Sequence, residues 1–361
     1  MKVLIACGGT GGHIFPALAL ADQLKEQGID ILFVGTKRKL DAQIQRRKYD
    51  FIALDITAIS VQSAKKFLTA FLKLVKTTFH SLSILLKVKP DVVVGFGGYA
   101  SGPIVLIAFF LRIPTVIHEQ NVRFGKTNYL LSKVVDKVAV SFPPQDGRTL
   151  SRKQVITGCP VRSELLEVSE KQAYSYFGFS ENKCTLMITG GSLGSHSINE
   201  VVLDALGKIK NKTQLQVIHS TGEADYKKVS QAYRILGINA KTFVFLEEMG
   251  YAYTVADVLI SRAGGSTLSE IVLFRLPAII VPYPFAGEHQ LFNAAFLSDR
   301  NAAVLMREQA MTGDSLAKKL DTLISDKSSL KQLQENLGHL RFPDAAKLLA
   351  TEVVNAGAFH G

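Results

Sequence analysis

Twice along this chain a short apolar run breaks off at a cluster of glycines and gives way to a helical pattern. Lys2–Ala6 (KVLIA) runs into Gly8-Gly9-Thr10-Gly11-Gly12-His13, and Thr185–Thr189 (TLMIT) runs into Gly190-Gly191-Ser192-Leu193-Gly194-Ser195. An uninterrupted apolar run of this length fits a strand buried on both faces, which is the habit of parallel sheets. Parallel strands need a crossover, usually a helix. Over 14–27, Ala17, Leu18, Ala21 and Leu24 line one helical face, and Asp30–Val34 supplies the next strand, completing a βαβ unit. The rhythm returns in Asp91–Val94, Thr115–His118, Lys137–Val140 and Gln154–Ile156, and in the second half in Leu215–His219, Phe243–Leu246, Asp257–Ile260 and Ala278–Val281. Two such series predict an α/β chain of two Rossmann-like, doubly wound parallel-sheet domains, with ligands beyond the carboxyl ends of the strands. The 361 residues fit two domains at roughly 150 each. Gly and Pro at Gly158–Arg162 (GCPVR) set the expected boundary: domains over 1–160 and 161–340, then a C-terminal helix over 341–361 packing back on the first.

The apolar fraction of 47% and charged fraction of 20% exclude a disordered chain. Cys7, Cys159 and Cys184 are too few and too scattered for a disulfide framework or a Cys-based zinc site, which fits a reducing compartment. Val3–Ala6 is too short for the apolar core of a secretory signal. The net charge of +11 is unevenly spread: residues 1–160 hold 22 Lys and Arg against 10 Asp and Glu, and residues 161–361 hold 20 against 21. The first domain is therefore expected to face an anionic substrate or surface. Nucleic acid is not expected, because no base-reading motif accompanies the charge. Over 62–89, apolar residues at helical spacing are interleaved with Lys65, Lys66, Lys73, Lys76, Lys87 and Lys89, with no acidic residue. Charge interrupts it too often for a bilayer span. It reads as a core-packing helix with a solvated basic face, or as a surface that docks on anionic lipid through Lys65, Lys66, Phe67, Phe71, Lys73 and Lys76.

The polar clusters sit after strands. Gly8–His13 lacks the third glycine of the dinucleotide fingerprint and the Lys-Ser/Thr of a P-loop, yet opens a helix whose N-terminus favours an anion. A histidine there has its pKa lowered and suits a neutral base. Gly97-Gly98-Tyr99-Ala100-Ser101-Gly102-Pro103 and His118-Glu119-Gln120-Asn121 close two further first-half strands. In the second half, 190–195, Arg262-Ala263-Gly264-Gly265-Ser266-Thr267-Leu268-Ser269-Glu270 and the stretch through Gln290 do the same. Glycines and hydroxyls at helix starts suit a diphosphate, and Glu270 suits ribose hydroxyls. No Asp-x-Asp or HExxH pattern marks a metal site, so a diphosphate would rest on N–H groups and Arg162.

In this order, GGTGGH (8–13), GGYASGP (97–103), HEQN (118–121), PVR (160–162), GGSLGS (190–195), RAGGSTLSE (262–270) and HQLFNA (289–294) resemble glycosyltransferase family 28. Within it, the resemblance is to the bacterial enzymes that convert lipid I to lipid II in peptidoglycan synthesis, from the first strand to about residue 300. It implies a GT-B fold with the active site in the cleft between the domains. It also implies inverting, metal-independent transfer of GlcNAc from UDP-GlcNAc to the C4 hydroxyl of the MurNAc-pentapeptide of lipid I. UDP-GlcNAc would be a co-substrate, and no cofactor would be required. The second domain would bind donor, and the first would bind acceptor and an anionic membrane, peripherally on the cytoplasmic face of the inner membrane. Wall-synthesis or division proteins are candidate partners. Carried over by motif, His13 is the first candidate base and Glu119 the second. Thr10, Gly11, Gly12, Asn121, Arg162, Ser192, Leu246, Gly265, Ser266, Thr267, Leu268, Ser269, Glu270 and Gln290 would hold the donor, with the Leu246 backbone at the uracil. Tyr99, Ser101 and His118 are acceptor-side candidates. Cys159 and Ser195 depart from the Asn and Ala usual at their positions. A UDP-GlcNAc 2-epimerase, another GT-B lipid glycosyltransferase or a non-catalytic nucleotide-sugar module are the alternatives, and 62–89 with HEQN weighs against the epimerase.

Overall fold

The computed structural model describes residues 1–36, 42–54, 64–143, 150–285, 288–340 and 344–358, with backbone alone for 42, 64–72 and 74. The chain forms two compact units, Met1–Arg162 with Phe342–Gly361, and Ser163–Arg341.

The first unit runs β1 (Lys2–Ala6), α1 (Gly11–Glu26), β2 (Asp30–Gly35), α2 (Ala42–Arg46), β3 (Asp50–Ala53), α3 (Ala64–Val88), β4 (Val92–Gly95), α4 (Gly98–Phe110), β5 (Thr115–Glu119), α5 (Lys126–Leu131), β6 (Lys137–Val140) and β7 (Gln154–Ile156). Its sheet is parallel throughout, in the order β3-β2-β1-β4-β5-β6-β7. Successive side chains alternate between two buried layers, which is why the strands read as unbroken apolar runs. Val3, Ile5, Val92, Val94 and Val116 pack with Ile14, Leu18 and Leu24 of α1. Leu4, Val93 and Ile117 pack with Ile84 and Leu85 of α3 and Ile104 and Val105 of α4.

The second unit runs α6 (Glu170–Phe177), β8 (Cys184–Thr189), α7 (His196–Lys208), β9 (Leu215–Ser220), α8 (Tyr226–Leu236), β10 (Asn239–Phe243), α9 (Met249–Val255), β11 (Val258–Ser261), α10 (Gly265–Phe274), β12 (Ala278–Ile280), α11 (His289–Ser298), β13 (Val304–Leu305), α12 (Gly313–Ser325) and α13 (Lys327–Gly338). Its strands are also parallel, ordered β10-β9-β8-β11-β12-β13. The last helix, α14 (Ala345–Ala358), belongs to the first unit, where Leu349, Ala350 and Val353 are buried in the α1 layer.

An aspartate just before a strand ties down the start of its neighbour in both units. Asp91 accepts the Lys2 N–H at 2.6 Å, Asp136 that of Thr115 at 2.8 Å and Asp257 that of Thr185 at 2.8 Å. The first and last of these pin β1 to β4 and β8 to β11, the pairs where strand order reverses. The carboxyl ends at such a reversal are where open α/β sheets place ligands.

Sequence periodicity does not reveal β3 and β13, and it expects a strand at 243–246 where the structure has β10 at Asn239–Phe243. All three are short edge strands with partly exposed residues, so they lack the continuous apolar run of a central strand.

Candidate functional site

In the first unit the Gly8–Thr10 loop leads into α1, whose N-cap Thr10 makes no side-chain cap bond; the His13 N–H closes on the Thr10 carbonyl at 3.1 Å. The His13 Nδ1 atom lies 3.3 Å from the Gly8 carbonyl oxygen and 3.2 Å from Thr10 Oγ1. A carbonyl only accepts, so Nδ1 carries the proton and Nε2 keeps its lone pair. Burial pushes the His13 pKa down, and the Glu119 charge and the Gly8 carbonyl only partly offset it. The ring is therefore mostly neutral at pH 7. Gly98, at φ +74°, keeps the second loop against it: a Cβ there would lie 3.2 Å from the Gly8 oxygen and 3.4 Å from His13 Nδ1.

Glu119 ends β5 and is 2% exposed. One carboxylate oxygen accepts from the Asn121 backbone and side chain, both at 2.9 Å; the other accepts from Gly125 N at 2.9 Å and Asn128 Nδ2 at 3.0 Å. With four donors on it, this carboxylate organises the loop that carries Asn121. His118 and Ser101, expected on the acceptor side, lie in the interior. The His118 ring spans from β5 to the Gly158 carbonyl (2.9 Å), accepts from Gln120 Nε2 (3.1 Å) and is pushed by burial to a pKa of about 4. Ser101 is buried and donates to the Gly98 carbonyl at 3.1 Å. Both lack an accessible face, so they shape the loops from beneath, while Tyr99 is half-buried at the start of α4. Arg162 closes the first unit, its guanidinium 4.3 Å from the centre of the Phe15 ring.

The side chains of Lys65, Lys66, Phe67 and Phe71 lie outside the described residues. Along the rest of α3, Lys73, Val75, Lys76, Phe79 and Leu86 are exposed while Thr77, Ser81, Ile84 and Leu85 are buried. Phe110 of α4 and Leu130 of α5 are exposed too. No helix of the described residues is long and apolar enough to cross a membrane.

In the second unit α7 and α10 begin beyond β8 and β11, and neither is capped by a side chain, unlike α6, α12 and α13. Gly265 to Ser269 form the first turn of α10; Leu268 is fully buried and its N–H closes on the Gly264 carbonyl at 2.9 Å, so it is not placed to meet a ligand as expected. Two uncapped helix starts offer N–H groups and positive dipole ends to an anion. Ser192 is exposed at the tip of the first glycine loop. Gly194 (φ +75°) lets that loop press on the next one, since a Cβ there would lie 2.2 Å from the Thr221 carbonyl oxygen. The Gln290 side-chain oxygen accepts from Ala263 N at 3.2 Å and Tyr283 N at 2.9 Å, joining the loops after β11 and β12. Glu270 accepts from the Tyr253 hydroxyl at 2.7 Å. Leu246 is buried just beyond β10. Among the described residues no three His, Cys, Asp or Glu side chains gather as a metal-binding group.

Sequence reasoning singles out the glycine loop that Arg262 heads but gives Arg262 itself no role, and it passes over Asn128, Tyr253 and Glu308, which meet their partners only through the fold.

Two doubly wound parallel-sheet units, with polar loops gathered at their strand reversals, have the architecture of the GT-B glycosyltransferases. The family model described as Glycosyltransferase family 28 N-terminal domain matches residues 3–140, and that described as Glycosyltransferase family 28 C-terminal domain matches 185–349. The chain belongs to glycosyltransferase family 28. It is 39% identical over 339 residues to the UDP-N-acetylglucosamine--N-acetylmuramyl-(pentapeptide) pyrophosphoryl-undecaprenol N-acetylglucosamine transferase of Thermodesulfovibrio yellowstonii, covering 92% of this chain and 93% of the relative. It is 36% identical to the Bacillus subtilis protein of that name, over 97% and 98% of the two chains. Among solved structures, Acinetobacter baumannii MurG superposes with a TM-score of 0.78 at 29% identity, over 98% and 99% of the two chains.

Proposed function

We propose that this protein transfers GlcNAc from UDP-GlcNAc to the C4 hydroxyl of the MurNAc-pentapeptide of undecaprenyl-linked lipid I, with inversion to a β-1,4 linkage. The observation that carries this is the nearly full-length match, both domains included, to relatives named for that transfer. The second unit takes the donor: the starts of α7 and α10 with Ser192, Gly265, Ser266, Thr267 and Ser269 meet the diphosphate, Glu270 the ribose, the Leu246 backbone the uracil, and Gln290 the sugar. Thr10, Gly11, Gly12, Asn121 and Arg162 of the first unit are further candidates to hold the donor.

His13 is the general base. The acceptor oxygen attacks the anomeric carbon on the face opposite UDP. The C1–O bond to the β-phosphate breaks, and its electron pair leaves with UDP. The hydroxyl proton passes to His13 Nε2 and then to solvent. Such a base contributes roughly 10²–10⁴ in rate. Glu119 serves better as a positioning residue, since both its carboxylate oxygens are occupied by four N–H donors of the loop and its charge raises the pKa of His13. Helix starts stabilise the charge gathering on UDP. The exposed face of α3, with Lys73, Lys76 and Phe79, supports peripheral docking on an anionic cytoplasmic leaflet, which also presents the acceptor diphosphate.

Product analysis tests the reading. Incubation with UDP-GlcNAc and a short-chain lipid I analogue should add one N-acetylhexosamine in β linkage, read by mass and by the anomeric proton coupling. An α linkage, or UDP and free N-acetylmannosamine as the products, would contradict it.

A further inference from the structure

Arg262 is the most heavily engaged cation described in the second unit, and the proposed chemistry makes no use of it. It is 9% exposed at the head of the loop beyond β11. Its Nη1 pairs with Glu308 and donates to the Val281 and Pro282 carbonyls at 3.3 and 3.4 Å. Its Nη2 donates to Ser195 Oγ at 2.6 Å and Ser197 Oγ at 3.1 Å, and its guanidinium lies 5.3 Å from the centre of the Tyr283 ring. One planar fork thus bonds the glycine loop before α7, the strand end and loop beyond β12, and the segment leading to α12, all from the root of the glycine loop before α10.

We propose that Arg262 is a positioning residue that holds the 190–195 and 262–265 loops in fixed relation, so that the N–H groups starting α7 and α10 converge on one diphosphate. The proposal rests on the reading that this unit binds a nucleoside diphosphate sugar. Two features separate this role from that of a direct phosphate ligand. Glu308 already neutralises the guanidinium, and both terminal nitrogens are committed to protein acceptors. Guanidinium can only donate, so both serine oxygens accept from it. Ser195 and Ser197 lie 3.3 Å apart, so even if one hydroxyl hydrogen bridges them the other remains for a ligand. The clamp therefore presents a hydroxyl donor beside the start of α7 as well as its backbone. On its far side α7 is fixed independently: Asn199 donates to Asp225 and to the Thr221 carbonyl, each at 2.8 Å, and accepts from His219 at 3.0 Å. Loss of the Arg262 fork should accordingly misplace the loop without unfolding the unit.

The test compares binding of UDP and of uridine, by calorimetry, to the full-length wild type, R262K, R262M and the S195A/S197A double variant, with melting curves for each and donor KM and kcat alongside. Lysine keeps the charge and loses the fork. The clamp predicts that R262K and R262M both lose UDP affinity by roughly 10- to 100-fold, with uridine affinity changed less than about 3-fold. S195A/S197A should lose about 10-fold on UDP, with donor KM raised far more than kcat falls. R262K binding UDP like wild type would overturn the proposal in favour of a simple charge effect. So would equal losses for uridine and UDP, or UDP binding by S195A/S197A like wild type. Should wild type bind UDP no better than uridine, the diphosphate-donor reading itself fails, and the clamp with it. If both Arg262 variants fail to fold, the serine double variant, which removes only two hydroxyls, decides.

Discussion

Replacing Glu119 by glutamine separates positioning from catalysis. In the wild type each carboxylate oxygen accepts two donors: the Asn121 backbone and side chain on one, Gly125 N and Asn128 Nδ2 on the other. A glutamine offers one oxygen and one NH₂. Whichever way it turns, two N–H donors face an N–H donor in a site only 2% exposed. Two buried donors without acceptors cost about 1–3 kcal/mol each, and partial relaxation of the loop leaves a net loss of about 3 kcal/mol. For a unit of this size that lowers the melting temperature by roughly 6–12 °C. Loss of the Glu119 charge also removes a cause that raises the His13 pKa, so the acid limb of the kcat/KM profile should move to lower pH. Calorimetric melting of the variant, with pH–rate profiles below its transition, reads both effects. A melting temperature within about 2 °C of wild type would refute the four-bond argument. Activity abolished at every pH in a stable E119Q protein would make Glu119 the base.

Three further predictions follow from the same geometry. His13→Ala should lower kcat by roughly 10²–10⁴ while leaving donor KM within about 3-fold; near-normal kcat would remove His13 as the base. Lys73→Gln with Lys76→Gln should weaken partition onto anionic vesicles by about 1 kcal/mol per residue, and unchanged partition would place the docking surface elsewhere. His118 and His219 are buried neutral, with pKa values lowered by burial from 6.5 to about 4 and about 3. Their neutral forms support the fold above pH 6.5, and that support is lost as the pH falls from 6.5 towards those values. Stability should therefore drop by about 2 kcal/mol in each unit between pH 7 and 5, and denaturant titrations showing no such drop would contradict the burial assigned to these rings.

The central strands are legible in sequence because burial on both faces writes them as unbroken apolar runs. The edge strands β3, β10 and β13 leave no such trace: Asn239–Phe243 alternates weakly, and only its pairing with Leu215–Ser220 makes it a strand. Site loops are legible where chemistry demands glycine or a polar residue after an apolar run, as at Gly8–His13 and Arg262–Glu270. Local sequence does not say which polar group faces a ligand and which is consumed within. His118, Glu119 and Asn121 look alike there; the fold seals the first, loads the second with four donors and hangs the third from it. Tyr253 and Glu308 carry no local signal at all, since each acquires its role from a residue on another element.

Transfer of labelled GlcNAc from UDP-GlcNAc to a short-chain lipid I analogue, in EDTA, tests the central claim most directly. The account predicts labelled β-linked product under those conditions. Failure to form product with or without added Mg²⁺, while UDP-GlcNAc still binds, would contradict it.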